Sequence, residues 1–167
     1  MFRYKKTESF YRILKKNKNV NISSNKLFLV PSEKIAISII NELNSSKTVL
    51  KKTPISDLAS FACNLSKKDR ASIIESLKTK ISFDNILYRP TNNTKLRSLM
   101  DKKYNDYISL FSDIFSIDFK IIFGTLGMQE NLKIKKLGDY LMSLDNFSLT
   151  VIFKLTQISN SVIISYF

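Results

Sequence analysis

In 167 residues the chain carries 27 Lys and Arg against 14 Asp and Glu, a formal charge of +13, with no histidine, three glycines and a single cysteine. Lack of histidine removes the usual general base, the Ser-His and Cys-His nucleophile pairs and the commonest metal ligand. Three glycines build neither a dinucleotide fingerprint nor a phosphate loop, and Cys63 alone makes no internal disulfide.

The charge is uneven. Residues 1–80 hold 17 basic and 6 acidic side chains, whereas residues 81–167 hold 10 and 8, so the chain has a basic front and a nearly neutral back. Such a front suits a nucleic acid or an acidic protein surface. Lys, Asn and Ile are abundant throughout, however, and the same excess arises when composition drifts at tolerant surface positions. With 44% hydrophobic residues the chain can bury a core. The first thirty residues carry Arg3, Lys5, Lys6, Arg12, Lys15, Lys16 and Lys18 with no apolar run behind them, so no cleavable signal is expected.

Taken in order, the segments Phe10–Leu14 and Lys26–Val30, with Val20 and Ile22 alternating against polar neighbours between them, predict an antiparallel meander of two or three strands. Lys15–Lys18 and Ser23–Asn25 supply the turns. Pro31 closes the sheet region, and Ser32 is placed to cap a helix carrying Ile35, Ile39, Ile40 and Leu43 to about Asn44. A linker, 45–52, precedes a short helix opened by Pro54, in which Leu58, Ala59, Phe61 and Ala62 pack closely and Cys63 is an inert packing residue. Ser66 and Asp69 match the spacing of a capping box for a helix through Ile73, Ile74 and Leu77 that ends near Lys80.

Leu96, Leu99, Met100, Tyr104, Tyr107, Ile108, Phe111, Ile114 and Phe115 then recur at steps of three and four, predicting a helix of roughly 20 residues capped by Thr94. From Ile117 to Phe123 the period drops to two, which predicts a short strand ending at Gly124. A helix through Leu132, Leu137 and Leu141 follows, and Asp145 is placed to cap the last helix from Phe147 onward. That last segment is long and apolar enough to suggest a membrane span, but Lys154, Gln157, Asn160 and Ser161 recur along it at a helical step and argue against one. The fold class read from this pattern is α+β, mostly helical, with an N-terminal domain of residues 1–84 and a helical C-terminal domain of residues 85–167 containing one short strand. Carboxylate pairs such as Asp101 with Asp106, or Asp113 with Asp118, are most simply solvated positions. No catalytic, cofactor-binding or metal-binding residue is assigned, and no cofactor is expected.

The stretches Asn85-Ile86-Leu87-Tyr88-Arg89, Lys103-Tyr104-Asn105-Asp106, Ile117-Asp118-Phe119-Lys120 and Gly124 resemble, in this order, the central pattern of the ATP-twelve family, assembly chaperones of the F-type ATP synthase catalytic sector. Leu29-Val30-Pro31-Ser32, Thr53-Pro54-Ile55-Ser56-Asp57-Leu58-Ala59 and the segment Leu144–Ser161 are similar to further family stretches. Tyr104, Asn105 and Asp106 stand where the family usually has Trp, Asp and Pro. Family sequences usually continue past the position of Phe167 through an acidic helical tail, which this chain is expected to lack.

The resemblance implies a non-catalytic chaperone, cytoplasmic in a bacterium or in the mitochondrial matrix of a eukaryote. It would bind the alpha subunit of the ATP synthase and shield its subunit-contacting surface before head assembly, without a small-molecule substrate. A small basic nucleic-acid-binding protein is the alternative, with Gly124-Thr125-Leu126-Gly127 as a faint echo of a backbone clamp. The expected partner-binding residues are Tyr88, Arg89, Tyr104, Asp106, Ile158, Val162 and Phe167. Tyr88 and Arg89 read either as contacts or, as the Tyr-Arg-Pro passage favours, as packing residues. The apolar end is expected either to dock into its own chain or, as the apolar circumference of the last helix favours, to leave a groove lined by Ile158, Val162 and Phe167.

Overall fold

The structure, a computed structural model, describes residues 1–23, 26–45 and 54–167. They form two compact units, Met1–Ser66 and Lys67–Phe167. The boundary read from sequence at residue 84 falls inside the second unit. The class is α+β and mostly helical, with an antiparallel meander at the N-terminus and a helical C-terminal part, as the residue pattern predicts.

The first unit is a sheet covered by two helices. Strand β1 (Phe2–Lys6) pairs antiparallel along its whole length with β2 (Tyr11–Lys15). On the other edge of β2 lie β3 (Lys18–Asn19) at one end and β6 (Leu29–Val30) at the other. Strands β4 (Asn21–Ser23) and β5 (Lys26–Leu27) make a separate two-stranded pair. The β2–β3 hairpin turns through Lys16 and Asn17, both at positive φ (48° and 62°), the two-residue geometry that matches strand twist. Strand β1 was not anticipated. Its Phe2 and Tyr4 are half-buried while Arg3 and Lys5 are exposed, so its basic residues are the outward half of an alternating strand rather than a loop.

Helix α1 (Glu33–Ser45) packs on the sheet through Ala36 and Ile39, and Ser32 Oγ accepts the Ile35 N–H at 3.3 Å as its cap. Helix α2 (Pro54–Asn64) buries Ser56, Ala59 and Ala62, one small residue per turn, whereas Leu58 faces outward, contrary to expectation. Glu42 of α1 caps α2, accepting from Ile55 N, Ser56 N (2.7 Å) and Ser56 Oγ (2.6 Å). Cys63 is half-buried, its Sγ donates to the Leu29 carbonyl at 3.1 Å, and burial pushes the thiol up, so it packs unreactively. Most of the expected linker and part of the Ser23–Asn25 turn lie outside the described residues.

The second unit begins with α3 (Lys67–Lys80), followed by 3-10 turns at Ile81–Phe83 and Asn85–Leu87. Strand β7 (Tyr88–Arg89) leads into α4 (Thr94–Phe115), and β8 (Ile122–Phe123) pairs parallel with β7. The expected strand from Ile117 thus shrinks to its last two residues, which pair with the two residues of β7. Gly124 ends it with φ of +93° and donates its N–H to the Arg89 carbonyl.

Helices α5 (Lys135–Ser143), α6 (Asn146–Ser159) and α7 (Val162–Tyr166) complete the unit. Asp145 caps α6, accepting from Phe147 N at 2.7 Å and Ser148 N at 3.1 Å. The single last helix read from sequence is two. Asn160 adopts the left-handed conformation (φ 55°), and Ser161 opens α7 by accepting the Ile164 N–H. The core joins Ile74, Leu77, Ile81, Leu87, Phe111, Leu137, Leu141, Leu149 and Ile163, all nearly inaccessible. Tyr166 stands edge-on to Phe111, Phe115 and Tyr140 at 5.2 to 5.5 Å, which ties α7 to α4 and α5.

Candidate functional site

The passage Asp84-Asn85-Ile86-Leu87-Tyr88-Arg89 is a knot at the centre of the second unit. Arg89 is 1% exposed, and such a buried guanidinium persists only when its N–H groups are matched. Its Nε donates to Asp101 at 2.6 Å, Nη1 to the carbonyls of Ile86 (2.6 Å) and Tyr88 (3.0 Å), and Nη2 to Asn105 at 2.9 Å. Asp101 and Asn105 lie four apart on α4, so one face of that helix presents both acceptors. Tyr104 joins them, its ring 6.0 Å from the guanidinium. Asp106, which the motif comparison paired with this region, faces solvent instead. Helix α4 is capped by Asn93 rather than Thr94, its side chain accepting the Leu96 N–H at 2.8 Å.

Asp84 is the residue that sequence reasoning missed. Its carboxylate is fully buried and accepts from Ile86 N (3.3 Å) through one oxygen and from Val162 N (2.7 Å) and Ile163 N (3.1 Å) through the other. Burial pushes this carboxyl above its ordinary range, and hydrogen bonds from Ser161, Ile163, Ile86 and Val162 offset the shift only in part. A signal was available, since an aspartate set in an apolar run and followed by a helix-like turn reads as a cap. Its distant partner on α7 was not readable.

Against this fixed knot the chain displays apolar side chains to solvent. Gln129 is 6% exposed and holds Lys120 through both its N–H and its carbonyl, at 2.9 and 2.6 Å, while its own N–H reaches the Ser82 carbonyl. Tyr88 Oη donates to the Gly127 carbonyl at 2.7 Å. With the backbone of residues 120–129 so tied down, Phe123, Leu126 and Met128 stand out at 55, 90 and 53% exposure. Beside them a groove of about 550 Å³ is walled by Tyr88, Pro90, Asn93, Met100 and Gly124. Arg97 donates to the Pro90 and Thr91 carbonyls and lies 5.0 Å from the Phe123 ring, which stiffens the rim.

The structure therefore brings together Tyr88, Arg89 and Tyr104 of the expected contact set, with Arg89 as an internal strut and Tyr88 half-buried at the groove. It does not bring together the three residues of the expected terminal groove. Val162 is 1% exposed because α7 turns inward onto Asp84, whereas Ile158 is 81% exposed and Phe167 51% exposed, the latter ring 5.5 Å from Tyr107. Among the described residues no group of His, Cys, Asp and Glu is placed to hold a metal ion.

In fold, the chain is similar to the crystal structure of Atp12 from Paracoccus denitrificans (19% identity, TM-score 0.86) and to a mutant of that protein (18%, 0.85), each likeness covering 99% of this chain and 72% of the other. It is likewise similar to a candidate chaperone from Agrobacterium tumefaciens (18%, 0.86), covering 99% of this chain and 63% of that one. The chain thus spans under two thirds of the Agrobacterium protein's length. At these identities the likeness establishes the fold. No curated protein matches the chain in sequence. The sequence pattern described as ATP12 chaperone protein matches residues 2–112, from β1 through the Arg89 knot and most of α4. The chain belongs to the ATP12 chaperone protein family.

Proposed function

We propose that the chain is an assembly chaperone of the F-type ATP synthase that holds the alpha subunit and covers its subunit-contacting surface until the beta subunit takes its place. Membership in the ATP12 chaperone protein family carries this reading. The second unit offers what such a role requires, a rigid scaffold that presents apolar side chains. Phe123, Leu126 and Met128 stand on a loop pinned by Gln129 and Tyr88, beside the groove at Pro90 and Met100. A client surface destined for another subunit is apolar, and a preordered loop binds it with little further loss of chain entropy. Tyr88 borders this surface, Arg89 shapes it from behind with the Tyr104 ring against its guanidinium, and Asp106, Ile158 and Phe167 are accessible to a client. No described helix is long and apolar enough to cross a membrane. The chaperone would work where the catalytic head assembles, in the bacterial cytoplasm or the mitochondrial matrix.

The test is binding to isolated alpha and beta subunits, and to single- and double-stranded DNA and RNA, at about 50 and 200 mM salt. The expected result is an alpha-subunit complex that changes little with salt and is displaced by beta. Nucleic-acid binding that weakens by about a thousandfold across that range, with no affinity for alpha, would overturn the reading.

A further inference from the structure

Helix α4 runs for 22 residues and buries only one side, through Ile108, Phe111 and Phe115. Beside that buried face Leu96, Leu99, Leu110 and Ile114, with Tyr107 at the edge next to Phe167, are 40 to 62% exposed. With Lys103 they recur at steps of three and four and make one stripe, about 27 Å long at 1.5 Å per residue. Monomeric proteins rarely leave so long an apolar strip open. Along one flank of the stripe, Lys95, Lys102, Asp106 and Asp113 are all exposed, and none of them is in a salt bridge within the described chain. The flank is basic in its first half and acidic in its second.

That order is self-complementary. Lys95 and Asp113 are symmetric about residue 104, and so are Lys102 and Asp106. Leu99 with Leu110, Leu96 with Ile114 and Lys103 with Tyr107 are symmetric within one residue, about 1.5 Å, of the same midpoint. A two-fold axis there, crossing two antiparallel copies of α4, sets leucine and isoleucine against each other along the seam. Lys103 then meets the Tyr107 ring of the other copy, and each lysine of the flank meets an aspartate, every pair occurring twice. In a parallel two-fold pair this flank would face the opposite flank of the other copy and its lysines and aspartates would not meet, so the charges select the antiparallel pairing.

We propose that α4 is a homodimerisation helix, pairing antiparallel with α4 of a second copy of this chain. A single-helix seam lies at the small end of stable interfaces, so the dimer forms reversibly as concentration rises. The inference stands independently of the client.

The test uses the full chain and two charge-reversed variants, Lys95→Glu with Lys102→Glu, and Asp106→Lys with Asp113→Lys. All four positions are exposed, and circular dichroism verifies that both variants fold. Sedimentation equilibrium from low to high micromolar concentration should show the unmodified chain doubling in mass. Each variant alone, its flank now of one sign, should stay monomeric, and their equimolar mixture should restore the dimer. Three outcomes would overturn the proposal: an unmodified chain monomeric throughout, including one that uses this face for a client; variants that dimerise as before; or a mixture that fails to associate.

Discussion

The Arg89 and Asp101 side chains meet at 2.6 Å with opposite exposures, the arginine fully buried and the aspartate 39% exposed. The two ends of this ion pair therefore respond differently to removal. Arg89→Ala strips the carbonyls of Ile86 and Tyr88 of their donor and opens a cavity behind β7, and should lower stability by about 2 to 4 kcal/mol. Asp101→Asn leaves a neutral acceptor that water also reaches, and should cost about 1 kcal/mol or less. Arg89→Lys, which cannot serve four acceptors from one nitrogen, should recover only a small part of the loss. Urea denaturation of the three variants checks the order, and equal losses for Arg89→Ala and Asp101→Asn would mean the pair is not the asymmetric strut described.

Asp84 holds α7 in place across 78 residues of sequence, its carboxylate bonded to the N–H groups of Val162 and Ile163. Asp84→Asn turns an amide N–H₂ toward one of these donors and should cost about 1 to 3 kcal/mol. The loss should appear first as faster hydrogen exchange at Val162 and Ile163. Exchange unchanged there would remove the cap from the account.

Acid titration separates two aspartates by sign. Burial raises the Asp84 carboxyl above its ordinary 3.8, so its protonation-linked stability is fully present below that value and is lost as pH rises through the raised one. At Asp145, desolvation pushes upward, but the combined bonds from Ser148 and Phe147 outweigh it and lower the carboxyl; its stability is present above 3.8 and is lost as pH falls through the lowered value. Denaturation midpoints between neutral pH and 4 should therefore depend less on pH in Asp84→Asn than in the unmodified chain. Below 4, Asp145→Asn should flatten the acid fall. Profiles parallel to the unmodified chain would contradict both assignments.

Leu126, at 90% exposure, contributes almost nothing to the core but stands at the centre of the proposed client surface. Leu126→Asp should move stability by no more than about 0.5 kcal/mol while weakening alpha-subunit binding by about tenfold or more. Tyr88→Phe removes one hydrogen bond to Gly127, and should cost about 0.5 to 1.5 kcal/mol with a smaller, few-fold effect on binding. Calorimetric titration with purified alpha subunit distinguishes them, and undiminished binding by Leu126→Asp would move the client site elsewhere.

What the residues determined by themselves is local. Ser32 and Asp145 cap helices because the N–H groups they serve lie two or three positions away, Lys16-Asn17 turns a hairpin within its own bonds, and the three-four spacing from Leu96 to Phe115 makes a helix whatever surrounds it. Even there, Asn93 rather than Thr94 caps α4, a choice between neighbours that spacing leaves open. Periodicity says that a helix has an apolar side but not what covers it, since burial depends on elements remote in sequence. Tertiary structure alone decided that Phe111 and Phe115 lie inside while Leu99 and Leu110 on the same helix do not. It decided that Arg89 binds Asp101 and Asn105 and leaves Asp106 in solvent. It decided too that the apolar C-terminal segment breaks at Asn160, where the carboxylate of Asp84 waits for the N–H groups of the next turn and makes the inward bend of α7 favourable.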